Sequence, residues 1–535
     1  MPGHKKSVKG IALLHLKNIF RLSVHAQEQD IDNIDELLAA QKANALSRRK
    51  FLIDTAKTAA LIGVAGLYQS CSPATKTKEQ PTIAIIGAGI AGLHAAYILK
   101  QAGYKASVYE GSPRIGGRIM SVEGMMGEGL WTEMGGEFID STHTDMLNLA
   151  KHFKLPLLDR LEPSELSLKE FAYYFEGKHY ELKDVLEALH PYTAQIKKDI
   201  DSLSDEVSYK KHTADDVRLD SMSIMQYIDS LGIKGWFREF IYNSYTAEYG
   251  MEATEQSAIS FLGIFDPGDE KGFKIYGDSD ERYSVIGGNV KICEAIAAEM
   301  EEFILPSHFL NSLKQNPDKT YQLTFKIAGT GNITEQADIL LMTMPFTVLR
   351  ELDMQVPLPD WKMNTIKNLG YGSNSKMFIG VKERVWRQQG YAGYAFSDNG
   401  MMNGYEHTQM QNKNKGPGGY TIFPGGKAGI ELGEMDINLA KEKYVKALDG
   451  VFPGVAAQFN NNAQVWNWPG YVFSKASYVA YKVGQYTGMA GSEMEPVDNM
   501  FFAGEHCSYE FQGFMNGGAL TGRLAAEAII EKLKV

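Results

Sequence analysis

The sequence predicts an α/β protein with a parallel central sheet, and three observations predict it. Ile83 to Ile86 is a short apolar run suited to a buried parallel strand. It runs into Gly87-Ala-Gly89-Ile-Ala-Gly92, after which Leu93 to Ala102 keeps apolar residues at helical spacing until Gly103 stops it. A second strand, Ser107-Val-Tyr, then ends on Glu110, 18 residues after Gly92. A glycine triplet alone is a weak signal, but here each neighbouring element stands where a dinucleotide-binding βαβ unit requires it.

Each residue of that unit has a physical task. Gly87 lets the chain turn sharply, Gly89 lets backbone approach a pyrophosphate, and Gly92 lets the helix pack closely on the strand. Phosphates are expected at the helix N-terminus, where unpaired N–H groups and the helix dipole favour negative charge. A carboxylate at Glu110 can accept hydrogen bonds from ribose hydroxyls and repels a 2′-phosphate, which favours FAD or NAD over NADP. Gly116-Gly117-Arg118 follows directly, bringing backbone and a cation close to a second part of the cofactor.

Near the other end, Asn499 to Ala503 reads as a short apolar strand. Gly513 to Ile530 is glycine-rich at its start and helical afterwards, which supplies a second helix N-terminus suited to an anion.

With these elements in place, the chain resembles the flavin-containing amine oxidases: monoamine, L-amino-acid and polyamine oxidases. The resemblance runs from about Pro81 to the C-terminus. Glu133-Met-Gly135-Gly136 is similar to the family segment bordering the flavin, and Ile286-Gly-Gly-Asn289 to the segment leading back into the cofactor domain. Leu310 stands where the family's backbone meets the adenine, and Ala337 to Pro345 resembles the family's apolar strand ending in a proline turn. Gly504-Glu505 and the stretch Gly513-Phe514-Met515 resemble the strand, loop and helix that close over the flavin.

The resemblance implies a discontinuous Rossmann-like FAD-binding domain, residues 81–145, 281–347 and 487–535, with an inserted α+β substrate domain formed by 146–280 and 348–486. Helical patterns at Met146 to Phe153, Ser223 to Leu231, Lys234 to Tyr245 and Asn438 to Leu448, and a strand at Lys376 to Val381, agree with that layout.

The resemblance also implies site roles. Lys376 matches the family lysine that holds a water against flavin N5 and assists reoxidation by oxygen. Tyr478 and Phe514 match two aromatics flanking the substrate amine, although the family often carries Tyr or Trp at the place of Phe514. Ser477 stands where monoamine oxidases attach flavin through cysteine, so FAD is expected to bind non-covalently. The run Gly135-Gly136-Glu137-Phe138-Ile139 lacks the arginine that binds a substrate carboxylate in venom-type L-amino-acid oxidases; Arg238 or Arg282 could replace it. Glu510 is a candidate partner for a distal ammonium.

The implied reaction is oxidation of an amine to an imine and then a carbonyl compound, with O2 reduced to H2O2. Rival readings are a flavin desaturase or dehydrogenase on the same fold, an L-amino-acid oxidase, and a non-catalytic flavoprotein.

Composition bounds these readings. At 535 residues, 44% hydrophobic and 22% charged, the chain predicts two large domains of a normal globular protein. A net charge of −11 argues against nucleic acid as partner. Three scattered cysteines and the absence of an HExxH pattern predict no disulfide framework and no metal site, and no apolar run is long enough to span a bilayer.

Ser47-Arg48-Arg49-Lys50-Phe51-Leu52, followed by an apolar stretch from Ala59 to Leu67, reads as a twin-arginine export signal behind an unusually long leader. Residues 1–80 are therefore expected to be export signal and linker, recognised by the Tat machinery, and the mature protein periplasmic. Cys71 is a candidate lipid-anchor site, although Tyr68 departs from the aliphatic residue usual before such a cysteine.

Overall fold

The strand Ile83–Ile86 (β1) lies at the centre of a five-stranded sheet, and its four residues are all buried because both faces of the sheet are covered. The computed structural model describes residues 80–263 and 280–534; the segment expected to be an export signal and Cys71 lie outside the described residues. The strand order is Met500–Phe502, Ile339–Met342, β1, Ala106–Tyr109 and Ile304–Leu305, all parallel. Strands more than 400 residues apart in sequence thus share one sheet.

The period-2 alternation of β1 divides two layers. Ile83 and Ile85 pack with Leu93 and Leu99 of the helix Ile90–Gln101 (α1), and with Ala525, Ala526 and Ile529 of the C-terminal helix Met515–Lys534. Ala84 and Ile86 face the opposite way, into a cluster with Leu313, Tyr321 and Phe325. Those three come from a four-stranded sheet of Gly331–Ala337, Tyr321–Ile327, Phe309–Gln315 and Asp353–Gln355 that covers the second face.

Much of the remaining described chain builds a seven-stranded sheet with helices against it. Its order is Phe459–Asn467, Ser375–Val381, Gly418–Ile422, Met402–Glu406, Tyr391–Ser397, Lys169–Phe175 and Lys178–Tyr180. The predicted strand at Lys376 to Val381 forms as Ser375–Val381 and, like Gly418–Ile422 and Met402–Glu406, has every residue buried. The predicted helices form as Thr144–His152, Ile224–Ser230, Gly235–Tyr249 and Ile437–Val451. Ser223 caps the second through a reciprocal bond set with Gln226, and left-handed Gly250 ends the third. Among the described residues no helix is long and apolar enough to cross a membrane.

Candidate active site

A single cavity of about 500 Å³ runs from the C-terminal ends of β1 and Ala106–Tyr109 to the seven-stranded sheet. Of the cofactor-binding and catalytic residues expected from sequence, all but Gly92 line it: Gly87, Gly89, Glu110, Gly117, Arg118, Gly135, Gly136, Leu310, Lys376, Tyr478, Gly504, Glu505, Gly513, Phe514 and Met515. Gly92 sits behind the wall. A Cβ there would lie 2.0 Å from the carbonyl oxygen of Gly87, so its task is close packing, as expected.

At one end, Gly87 adopts φ +115°, a region that favours glycine, and donates its N–H to Tyr109 O at 2.8 Å. Glu110 is buried; its two carboxylate oxygens accept the N–H groups of Ala88 and Ser112, each at 2.8 Å. The acid therefore also braces the glycine turn. Gly117 approaches Gly89 so closely that a Cβ on it would lie 3.3 Å from the Gly89 Cα.

In the middle, Arg118 Nη1 donates to Glu505 Oε1 at 2.9 Å and to Ser477 O at 2.8 Å. Glu505 also accepts the N–H of Gly513 at 2.7 Å and of Val479 at 3.2 Å. One carboxylate thus ties three loops together. Gly135 and Gly136 pass tightly beside this junction: Cβ atoms would lie 1.9 Å from Arg118 O and 2.6 Å from Met515 Cγ respectively.

At the far end, the Lys376 ammonium donates to Glu133 O at 3.1 Å, to Gly135 O at 2.9 Å and to Glu137 Oε2 at 3.2 Å. All three protons of the ammonium have protein acceptors here, where the resemblance implied a bridging water. Glu137 Oε2 also accepts the Tyr405 hydroxyl at 2.8 Å, and Arg160 lies 3.6 Å from Oε1. Tyr478 donates its hydroxyl to Glu248 O, and burial pushes that phenol well above its ordinary value. Phe514 is held from behind by the edge of His143, 4.9 Å between ring centroids, whose imidazole burial pushes down to about 3.

Some expectations are corrected. Arg238 pairs with Asp229 and Arg282 with Asp159, and neither lines the cavity, so neither replaces a carboxylate clamp. Glu510 does not line it either; the lining acids at this end are Glu137, Glu248 and Glu281. Tyr394, Asn403, Tyr405 and Phe423 were not found from sequence, because strand and loop residues without a motif carry no local signal. Glu137 had one, its place directly after Gly135-Gly136.

Beside the site, burial raises the Glu133 carboxyl to about 8, against hydrogen bonds from Ser121 and Asn289 that lower it. A raised acid holds its proton more tightly in the folded state. Its contribution to stability is therefore complete below its ordinary value of 4.5 and is lost as pH rises to about 8. Glu133→Gln cannot ionise, and its unfolding midpoint is expected to fall less than the wild type's across that window. Equal slopes would refute the assignment.

A family model described as flavin containing amine oxidoreductase matches residues 90–530, the greater part of the chain. The chain belongs to the flavin-containing amine oxidoreductases. It is a flavin-dependent oxidoreductase. The flavin-containing amine oxidase of Oncorhynchus mykiss is 24% identical over 478 residues, covering 84% of this chain and 86% of that one. An L-amino acid dehydrogenase of Synechocystis sp. is 23% identical over 467 residues, 83% and 94% of the two chains. Cyclohexylamine oxidase from Brevibacterium oxydans shares the fold, with a TM-score of 0.71 at 21% identity over 85% of this chain and all of that one.

Proposed function

We propose that this amine oxidoreductase is an FAD-dependent oxidase of amines that lack a carboxylate. An amine, water and O2 would give a carbonyl compound, ammonia or a smaller amine, and H2O2. The observation that carries this reading is the pairing, among the described residues, of every Lys and Arg on the cavity wall. Arg118 is bonded to Glu505, Lys376 to Glu137 and Lys475 to Glu351, so none of them is offered to a substrate carboxylate. This disfavours an amino-acid substrate even though several relatives are named for that activity.

The residues present fit a flavin dinucleotide held non-covalently. Gly87, Gly89 and the N-terminus of α1 suit a pyrophosphate, and Glu110 and Leu310 the adenosine half. Gly135 and Gly136, where side chains would collide with Arg118 and Met515, would offer the ring backbone alone. Ser477 supplies no thiol, and its hydroxyl is engaged by Asn374 Oδ1 at 2.7 Å. When bound, the flavin supplies the two-electron chemistry, taking a hydride equivalent from the amine α-carbon and passing electrons on.

The protein orients and shields. Tyr478, Phe514 and Phe423 offer aromatic faces that suit an amine, and the Tyr478–Glu248 bond fixes one ring. Tyr478 stays neutral and Glu137 is engaged by Lys376 and Tyr405, so neither acts as a general base. The substrate is taken up as the neutral amine. With Ser47 to Leu52 read as an export signal, the reaction would take place outside the cytoplasm.

The test is anaerobic titration of the purified flavoprotein with monoamines, diamines, polyamines and amino acids. Amines without a carboxylate are expected to bleach the oxidised flavin band. Bleaching by amino acids alone, or by nothing in the panel, overturns the reading.

A further inference from the structure

Lys376 and Glu137 form a buried ion pair inside the cavity, with about 5% and 3% of their side chains exposed. The position of the pair follows from the fold. Lys376 enters on the enclosed strand Ser375–Val381, whose neighbour Phe459–Asn467 pairs Trp466 with it. Glu137 leaves the glycine pair Gly135-Gly136 directly beneath it. The lysine's other acceptors, the carbonyls of Glu133 and Gly135, belong to the same segment.

Two further groups hold the carboxylate. Tyr405 donates to the oxygen that Lys376 uses, and Arg160, stacked 4.6 Å over the Phe138 ring, lies near the other. Oε2 is thus held by both Lys376 and Tyr405, while Oε1 has no hydrogen-bond partner among the described residues and meets only the Arg160 charge at 3.6 Å.

A reduced cofactor gives electrons to O2 through a first step that creates negative charge on oxygen, which a nearby positive charge stabilises. An ammonium engaged by a carboxylate 3.2 Å away is close to neutral at a distance and has no N–H left to donate. We propose that Glu137 is a positioning residue that restrains oxygen use: it holds the Lys376 ammonium against the cavity wall, so that larger electron acceptors compete with O2 for the reduced enzyme. Electrons balance on either route: the two that leave the amine reduce one O2 to H2O2, or reduce two one-electron metal-complex oxidants of the ferricenium class with release of two protons. The inference rests on the amine-oxidising flavoenzyme reading but needs no amine for its test.

The holoenzyme is reduced anaerobically by light and a sacrificial donor, then mixed either with oxygenated buffer or with ferricenium, and return of the oxidised band is timed. The rate with O2 divided by the rate with ferricenium is expected to rise about tenfold in Glu137→Gln. The bound flavin's midpoint potential is expected to become more positive, because the lysine charge is no longer countered.

Glu137→Asp is the milder variant for the case that Glu137→Gln fails to fold. Its shorter carboxylate cannot reach both Lys376 and Tyr405, and it is expected to raise the ratio by a smaller factor. Adding Lys376→Met to either variant is expected to abolish the gain. An unchanged or lowered ratio in a folded variant, or a gain that survives loss of Lys376, overturns the proposal. Failure of amines to bleach the flavin would instead strike the function reading and leave this measurement intact.

Discussion

Gly92→Val is expected to yield protein with less than about a tenth of the wild-type flavin content and a clearly lowered melting temperature. The reason is a collision that neither partner can avoid. The Cβ alone would stand 2.0 Å from Gly87 O and 3.1 Å from both Gly87 C and Thr343 Oγ1. Gly87 cannot retreat, because its N–H is bonded to Tyr109 O and its φ of +115° belongs to the turn itself. Nor can α1 move outward. A Cβ on Gly522 of the C-terminal helix would already sit 2.2 Å from Ala91 O, so the two helices are in backbone contact on the far side.

Overpacking of a rigid site costs about 1–3 kcal/mol or more, and here the displaced atoms are those that would meet the pyrophosphate. Gly488→Ala is the control, since a Cβ there meets nothing within 4 Å. It is expected to keep its flavin and to change stability by no more than about 0.5 kcal/mol. Absorbance of the purified proteins and thermal melts decide it, and a Gly92→Val protein with full flavin content would contradict the packing argument.

The cofactor half of the molecule was legible because its signals are local. A four-residue apolar run, a glycine turn and a helical period can each be read within a short window, and the resemblance joined them to Glu505 and Met515 some 400 residues later. Pairings between distant residues were not legible. Arg118 and Glu505 were each expected near the cofactor, yet nothing in either segment said that they bind one another. Lys376 was expected to hold a water; its partnership with Glu137, 239 residues away, needed the fold.

The substrate side was the least legible. Its sheet sets Lys169–Phe175 parallel to Tyr391–Ser397, a neighbour more than 200 residues later, and delivers Tyr394 and Tyr405 to the wall from strands that carry no motif. The family resemblance pointed to Glu510, whereas the lining acids at the Lys376 end sit just after Gly135-Gly136, at a helix end and just before a strand.

Glu505→Ala is expected to weaken flavin binding about a hundredfold to a thousandfold, equal to roughly 3–4 kcal/mol. The carboxylate accepts from the Arg118 guanidinium and from two backbone N–H groups, on Val479 and Gly513, so its removal leaves three donors without this partner in one place. Breaking a buried ion pair by deleting one partner costs about 3–5 kcal/mol. The Arg118 side chain is 22% exposed, which places the expected effect toward the lower part of that range.

Glu505→Gln separates charge from geometry. It retains one acceptor oxygen for Arg118 and Val479 but turns an amide donor toward the Gly513 N–H, and a loss of about tenfold is expected. Arg118→Ala decides what the arginine is for. If Arg118 serves chiefly to hold Glu505 and the loops around residues 477 and 513, the double variant binds flavin no worse than the weaker single one. If the guanidinium reaches the cofactor's phosphates directly, the two losses add. Flavin titration of the four proteins at fixed salt distinguishes these cases, and retention of wild-type affinity by Glu505→Ala would show that the three loops hold their places without it.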